Sequence, residues 1–126
     1  DCIASDHSPH KKKKKKQVFP EAPFGIIGLE TLLPLLLGPI QERSNLDLLT
    51  LLGLVTYKPA QIIKLPGGIL SQGVPADLTL WNPEVEYQID KEKFYSKSRN
   101  TPFHGMSVKG QVEMTFVGGE KVYPFE

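Results

Sequence analysis

The sequence predicts an α/β chain in which a strand end and helices come first and small antiparallel strands come last. Three observations carry this. Apolar residues recur at helical spacing from Ile26 to Leu36, residues alternate from Ala76 to Trp81, and Gly118-Gly119 separates two short stretches of strand character. The 126 residues, 40% of them hydrophobic, suffice for one small domain or a piece of a larger one and do not fit a disordered or collagen-like chain.

Taken in order, Cys2-Ile3-Ala4-Ser5 reads as the end of a buried strand that gives way to ionisable groups at Asp6, His7 and His10. Pro9 disfavours helix at Ser8, so residues 7–23 are expected to be loop. Ile26, Ile27, Leu29, Leu32, Leu33 and Leu36 then define a helix with Glu30 and Thr31 facing out, which Pro34 should kink or shorten. A second helix is expected from about Leu46 to Leu52, capped by Ser44 or Asn45, with Asp47 in its first turn and Gly53 at its end. A third runs from a Thr56 cap to about Leu65 and tolerates Pro59 near its first turn.

After Pro66-Gly67-Gly68 the character changes. Leu78 and Leu80 set against Asp77, Thr79 and Trp81 describe a half-buried strand, with Trp81 expected to pack on another part of the parent protein. Val108, Val112, Met114 and Phe116 repeat at even spacing, and Gly118-Gly119 turns the chain into Lys121-Val122-Tyr123 as a hairpin. A single βα unit cannot close a core. In a (β/α)₈ barrel the strand ends line the active site, which is the place Asp6 takes in this reading.

Charge and composition narrow the function. Six of the 15 basic residues form the run Lys11 to Lys16, and without them nine basic residues face 14 acidic ones. The run is read as a solvated, mobile loop. No aromatic residues interleave with it, so neither nucleic acid nor a membrane surface is expected as partner. The longest apolar stretch is broken by Pro34, Gly38 and Pro39, well short of a membrane span. No leader peptide is recognised, and the lone Cys2 suits a reducing compartment, so a cytoplasmic location is expected.

Asp6, His7 and His10 are the dense cluster of ionisable groups. On spacing alone they are equally a turn with solvated histidines, and a closed metal site needs three or four ligands. The surrounding residues add to this. Ile3-Ala4-Ser5-Asp6-His7-Ser8-Pro9-His10 and Glu21-Ala22-Pro23-Phe24-Gly25-Ile26-Ile27-Gly28-Leu29-Glu30-Thr31 resemble the dihydroorotases of the barrel-type amidohydrolase superfamily. Pro59-Ala60, Gly73, Ala76-Asp77-Leu78, Ser96-Lys97-Ser98-Arg99-Asn100-Thr101-Pro102-Phe103, Gly105 and Val108-Lys109-Gly110 continue the likeness in order.

The resemblance implies that residues 1–66 are the closing part of a (β/α)₈ barrel and residues 67–126 part of an accessory β-sandwich. It implies a zinc enzyme, with two zinc ions per intact site, that interconverts N-carbamoyl-L-aspartate and L-dihydroorotate in pyrimidine synthesis. Asp6 would be a metal ligand and the general acid/base; His10 and the backbone at Phe24 and Gly25 would contact substrate. Glycine suits that place because it lets the main chain approach a ligand closely. His7 receives no role, the Phe24 ring is expected to pack the loop, Asn100 and Pro102 to shape a turn, and His104 to lie at the surface. A small-molecule substrate, a homodimer and an aspartate transcarbamoylase partner also follow from the resemblance.

Two departures stand out. The family's His-x-His, its carboxylated lysine, its later metal histidines and its substrate-binding Arg and Asn have no counterpart in these residues, so the chain alone is expected to be inactive. The lysine run replaces a mixed loop segment. Related cyclic amidohydrolases (allantoinase or dihydropyrimidinase) and a catalytically inactive scaffold relative stay open as alternatives.

Overall fold

In the computed structural model, which describes residues 1–124, helices occupy the first half and an antiparallel sheet the second. The elements are α1 (Lys12–Lys15), α2 (Leu32–Leu35), a π-helical turn (Leu36–Ile40) running into α3 (Gln41–Arg43), α4 (Leu48–Gly53) and α5 (Tyr57–Ile62). Strand β1 (Leu78–Gln88), a 3₁₀ turn (Lys91–Lys93), β2 (Ser107–Val117) and β3 (Glu120–Tyr123) follow, in sheet order β1-β2-β3.

The expected strand at residues 2–5 is not formed. The segment is held by one backbone bond, Ile3 N–H to the Leu54 carbonyl at 2.9 Å, and Cys2 is exposed. A parallel strand needs neighbours on its edges, and no strand of the described residues lies there.

The helix expected from Ile26 starts six residues later. Residues 26–31 are turn and extended backbone, so helical phase does not apply to them. Thr31 is buried rather than outward, and Glu30 accepts from the Tyr95 and Ser96 amides at 2.8 and 3.0 Å. Pro34 falls in the first turn of α2, where its missing N–H leaves no hydrogen bond unmade. The helix therefore continues past it. Pro39 is the residue that perturbs: around it the ladder widens to the π bond from Gln41 N–H to the Leu36 carbonyl.

Asp47 is the cap of α4, not a first-turn residue. Its two carboxylate oxygens accept from the Thr50 amide at 2.9 Å and the Thr50 hydroxyl at 2.8 Å. Thr56 precedes α5 as expected but makes no cap bond there; its hydroxyl donates back to the Leu52 carbonyl at 2.8 Å.

Leu36, Leu37 and Leu51 form the centre of the core, with Ile3, Leu33, Leu54, Val55 and Trp81 packed against it. Trp81 thus packs on this chain's own helices. Its indole N–H is buried without an acceptor among the described residues. A bulge sets which residues face inward. Leu80 pairs with Met114 but Trp81 with Val112, so Glu113 is an extra residue in β2. Val108, Gly110 and Val112 point inward on one side of it; beyond it Thr115 takes that direction and Met114 is exposed. The even spacing read from the sequence breaks at that residue.

Candidate functional site

The site residues lie where two segments run together. Ser8 N–H donates to the Ile26 carbonyl at 2.8 Å, and the His7 Nδ1 accepts from the Gly28 and Leu29 amides at 3.2 and 3.3 Å. The packing is close enough to need glycine. At Gly28 a Cβ would stand 2.7 Å from the Ser5 carbonyl oxygen. At Gly25 it would stand 2.5 Å from Ser8 Cβ, and φ is +94°. Asp6, His10 and Gly25 are therefore carried by one laced unit.

A third segment, 90 residues on, closes over it. Asn100 Nδ2 donates to the Gly25 carbonyl at 2.9 Å, while Ile27 N–H donates to the Asn100 carbonyl at 3.0 Å. Ser98 Oγ donates to the His10 carbonyl at 3.2 Å. Lys15 Nζ donates to the Pro23 and Gly25 carbonyls at 2.7 and 3.0 Å. The lysine run is thus neither loop throughout nor wholly solvated: it contains a helical turn, and Lys15 is anchored on the Phe24–Gly25 loop. The Gly25 carbonyl is fully engaged, but the Phe24 and Gly25 N–H groups have no partner among the described residues. They are donors available to a ligand.

Asp6 is exposed and has φ +42°, the left-handed region that Asp tolerates better than most residues. Its main-chain oxygen accepts from Ser8 Oγ at 3.1 Å, while its carboxylate has no hydrogen bond or ion pair among the described residues. A free carboxylate at a constrained turn fits one place in a metal's ligand set. Among the described residues, however, no three His, Cys, Asp or Glu side chains stand close enough to hold an ion, so any further ligands come from outside these residues. The Phe24 ring does not pack the loop; it is 90% exposed. His104 lies at the surface, 3.9 Å from Asp90 and accepting from Lys91 N–H at 3.4 Å.

Sequence reasoning gave His7, Ser98 and Lys15 no part in holding this site, and to Asn100 only a turn. The Asn-Thr-Pro-Phe stretch marked Asn100 as worth notice. Nothing in local spacing could join Ser98 to His10, 88 residues apart.

Comparison with known proteins adds the context. A family described as the amidohydrolase family matches residues 3–122. A dihydroorotase of Anaplasma phagocytophilum is 45% identical over 126 residues, all of this chain and 28% of that protein. A dihydroorotase of Brevibacillus brevis is 47% identical over 123 residues, 98% of this chain and 29% of that protein. Among solved structures, an L-hydantoinase (dihydropyrimidinase) from Arthrobacter aurescens matches 97% of this chain and 28% of its own, with TM-score 0.87 and 34% identity. The dihydropyrimidinase of Brevibacillus agri matches with TM-score 0.87 at 24% identity, a likeness of fold. The chain spans less than a third of the length of these relatives.

Proposed function

The chain belongs to the amidohydrolase family, and we propose that the whole protein is a dihydroorotase, reversibly cyclising N-carbamoyl-L-aspartate to L-dihydroorotate. The observation that carries this is the 45% identity to dihydroorotases sustained over all 126 residues, against 34% to the hydantoinase. In this reading residues 1–66 close a barrel and residues 67–126 belong to the accessory β-domain.

Each residue then has a task. Asp6 supplies one carboxylate to a zinc site, probed by metal analysis of the whole protein. Zinc, when bound, acts as a Lewis acid and makes water acidic near neutrality. In the hydrolytic direction the Asp6 carboxylate takes a proton from the attacking water and returns it to the departing ring nitrogen. In cyclisation it takes the proton from the carbamoyl nitrogen and returns it to the hydroxide that leaves as water. The unpaired Phe24 and Gly25 amides suit a substrate carboxylate or carbonyl, and the tethers from Asn100 and Lys15 keep them in place. His10, its carbonyl fixed by Ser98, adds a side-chain contact. A homodimer and an aspartate transcarbamoylase partner belong to the same reading and are checked by light scattering with and without the transcarbamoylase.

The test is dihydroorotate hydrolysis by the full-length, zinc-loaded protein. Activity is expected, and Asp6→Asn should lower kcat by about 10²–10⁴-fold. A wild-type protein that leaves dihydroorotate untouched while opening hydantoin or dihydrouracil would move the assignment to the dihydropyrimidinases. A full-length protein without zinc or activity would identify an inactive scaffold instead.

A further inference from the structure

Helix α1 brings Lys12, Lys15 and Lys16 to one wall of a cavity of about 360 Å³ whose other wall carries Lys91, Lys97 and Arg99. The only carboxylate lining it is Glu92, and that stands 3.7 Å from Arg99 Nε. Lys15 is occupied by the Pro23 and Gly25 carbonyls. Lys12, Lys16, Lys91 and Lys97 have no acidic partner among the described residues.

This arrangement is costly when empty of counter-charge. Lysines three and four apart on a helix repel one another, and α1 has neither an acidic residue in its first turn nor a side-chain cap. Long lysine side chains are free to spread into solvent, yet here two separate segments aim theirs at one space. A multivalent anion would turn mutual repulsion into attraction on both walls at once.

We propose that this cavity binds a condensed phosphate, a di- or triphosphate chain. Lysines act as point-charge binders of phosphate, whereas a carboxylate ligand would call for arginine forks, and the one arginine here is already beside Glu92. The volume lies within the range of about 300–1,000 Å³ of small-molecule sites. His10 is the one ring that lines the cavity and no Phe, Tyr or Trp does, so a run of stacked nucleic-acid bases has no platform. The site is separate from the amide chemistry, but it touches it: Lys15 lies in its wall and holds the Gly25 loop, and His10 and Asn100 border both. The inference does not depend on the dihydroorotase reading, because its test measures binding alone.

The experiment is calorimetric titration of the full-length protein with inorganic triphosphate at low and then raised ionic strength. Saturable binding that weakens with salt is expected. Lys91→Gln with Lys97→Gln on one wall, and separately Lys12→Gln on the other, should weaken it about ten-fold or more, since contacts to charged groups are worth that much. Lys58→Gln with Lys64→Gln, outside the cavity, should leave it unchanged. Equal affinity for inorganic triphosphate and a nucleoside triphosphate assigns the site to the free chain, and a tighter nucleotide assigns it to a nucleotide's phosphates. Absence of saturable binding, equal weakening by the Lys58/Lys64 control, or tighter binding of a single-stranded oligonucleotide would each overturn the proposal.

Discussion

Gly25 shows how much one residue can be asked to do. Its φ of +94° and its contact with Ser8 leave no room for a side chain, and its carbonyl takes donors from Lys15 and Asn100. Asn100 is the cleaner residue to change, because it lies outside the proposed chemistry and acts on the loop through one amide. In the proposed dihydroorotase, Asn100→Ala is expected to lower kcat/KM for dihydroorotate by about 10–100-fold, the scale of a small misplacement of binding groups. The loss should sit mainly in KM, with the pH profile unmoved. An Asn100→Ala enzyme with wild-type KM would remove the tether from the account. The role proposed for Asp6 comes from the sequence only through its neighbours, because an exposed carboxylate after a short apolar stretch is common. The bonds that hold the segment around it could not be read, since the partners of His7, Ser8 and His10 come from residues 26–29 and from Ser98.

At the scale of elements, local chemistry was read well where local chemistry decides. The hairpin around Gly118-Gly119 stands where spacing put it, and the helix after Thr56 begins there but ends at Ile62 rather than near Leu65. The helix at Ile26 did not, because its apolar residues serve a packed turn against Ser5–Ser8 before the helix begins. Capping decided α4. Hydrogen bonds from the Thr50 amide and then its hydroxyl hold the Asp47 carboxyl below its ordinary value of 3.8. A carboxyl lowered on folding contributes stability that is complete above the unfolded value and is lost as the pH falls through the lower folded one. The stability advantage of wild type over Asp47→Ala in urea denaturation should therefore be full at neutral pH and shrink below about pH 3.8, the unfolded value. Asn caps helices without titrating, so Asp47→Asn should hold its own advantage over Asp47→Ala across that range. A wild-type advantage that does not change with pH would contradict the assignment.

Among the described residues, more large apolar side chains are exposed than buried. Leu49, Leu70, Leu80, Met114, Val117 and Val122 are all exposed, while the fully buried centre is a handful of leucines. Such surface marks faces built to be covered. The 126 residues expressed by themselves are therefore expected to self-associate, as read by light scattering over a concentration series. A monodisperse monomer would show that the exposed residues are too scattered to act together. The fold class was legible because periodicities of 3.6 and 2 differ plainly; which face of β1 turns inward was not, because the Glu113 bulge is a property of two strands in register and of neither alone.

The hydrogen bond from Ser98 to His10 spans 88 residues, and those from Tyr95 and Ser96 to Glu30 span 65 and 66. During synthesis the ribosome therefore delivers Asp6, His10 and Gly25 long before it delivers the residues that close over them. A nascent chain halted near residue 90 already holds Asp6, His10 and Gly25 and the bonds that lace residues 7–8 to residues 26–29, but it lacks the Ser98 and Asn100 tethers that close over them. Premature stop codons across that stretch would leave these three residues in place and their outer tethers missing.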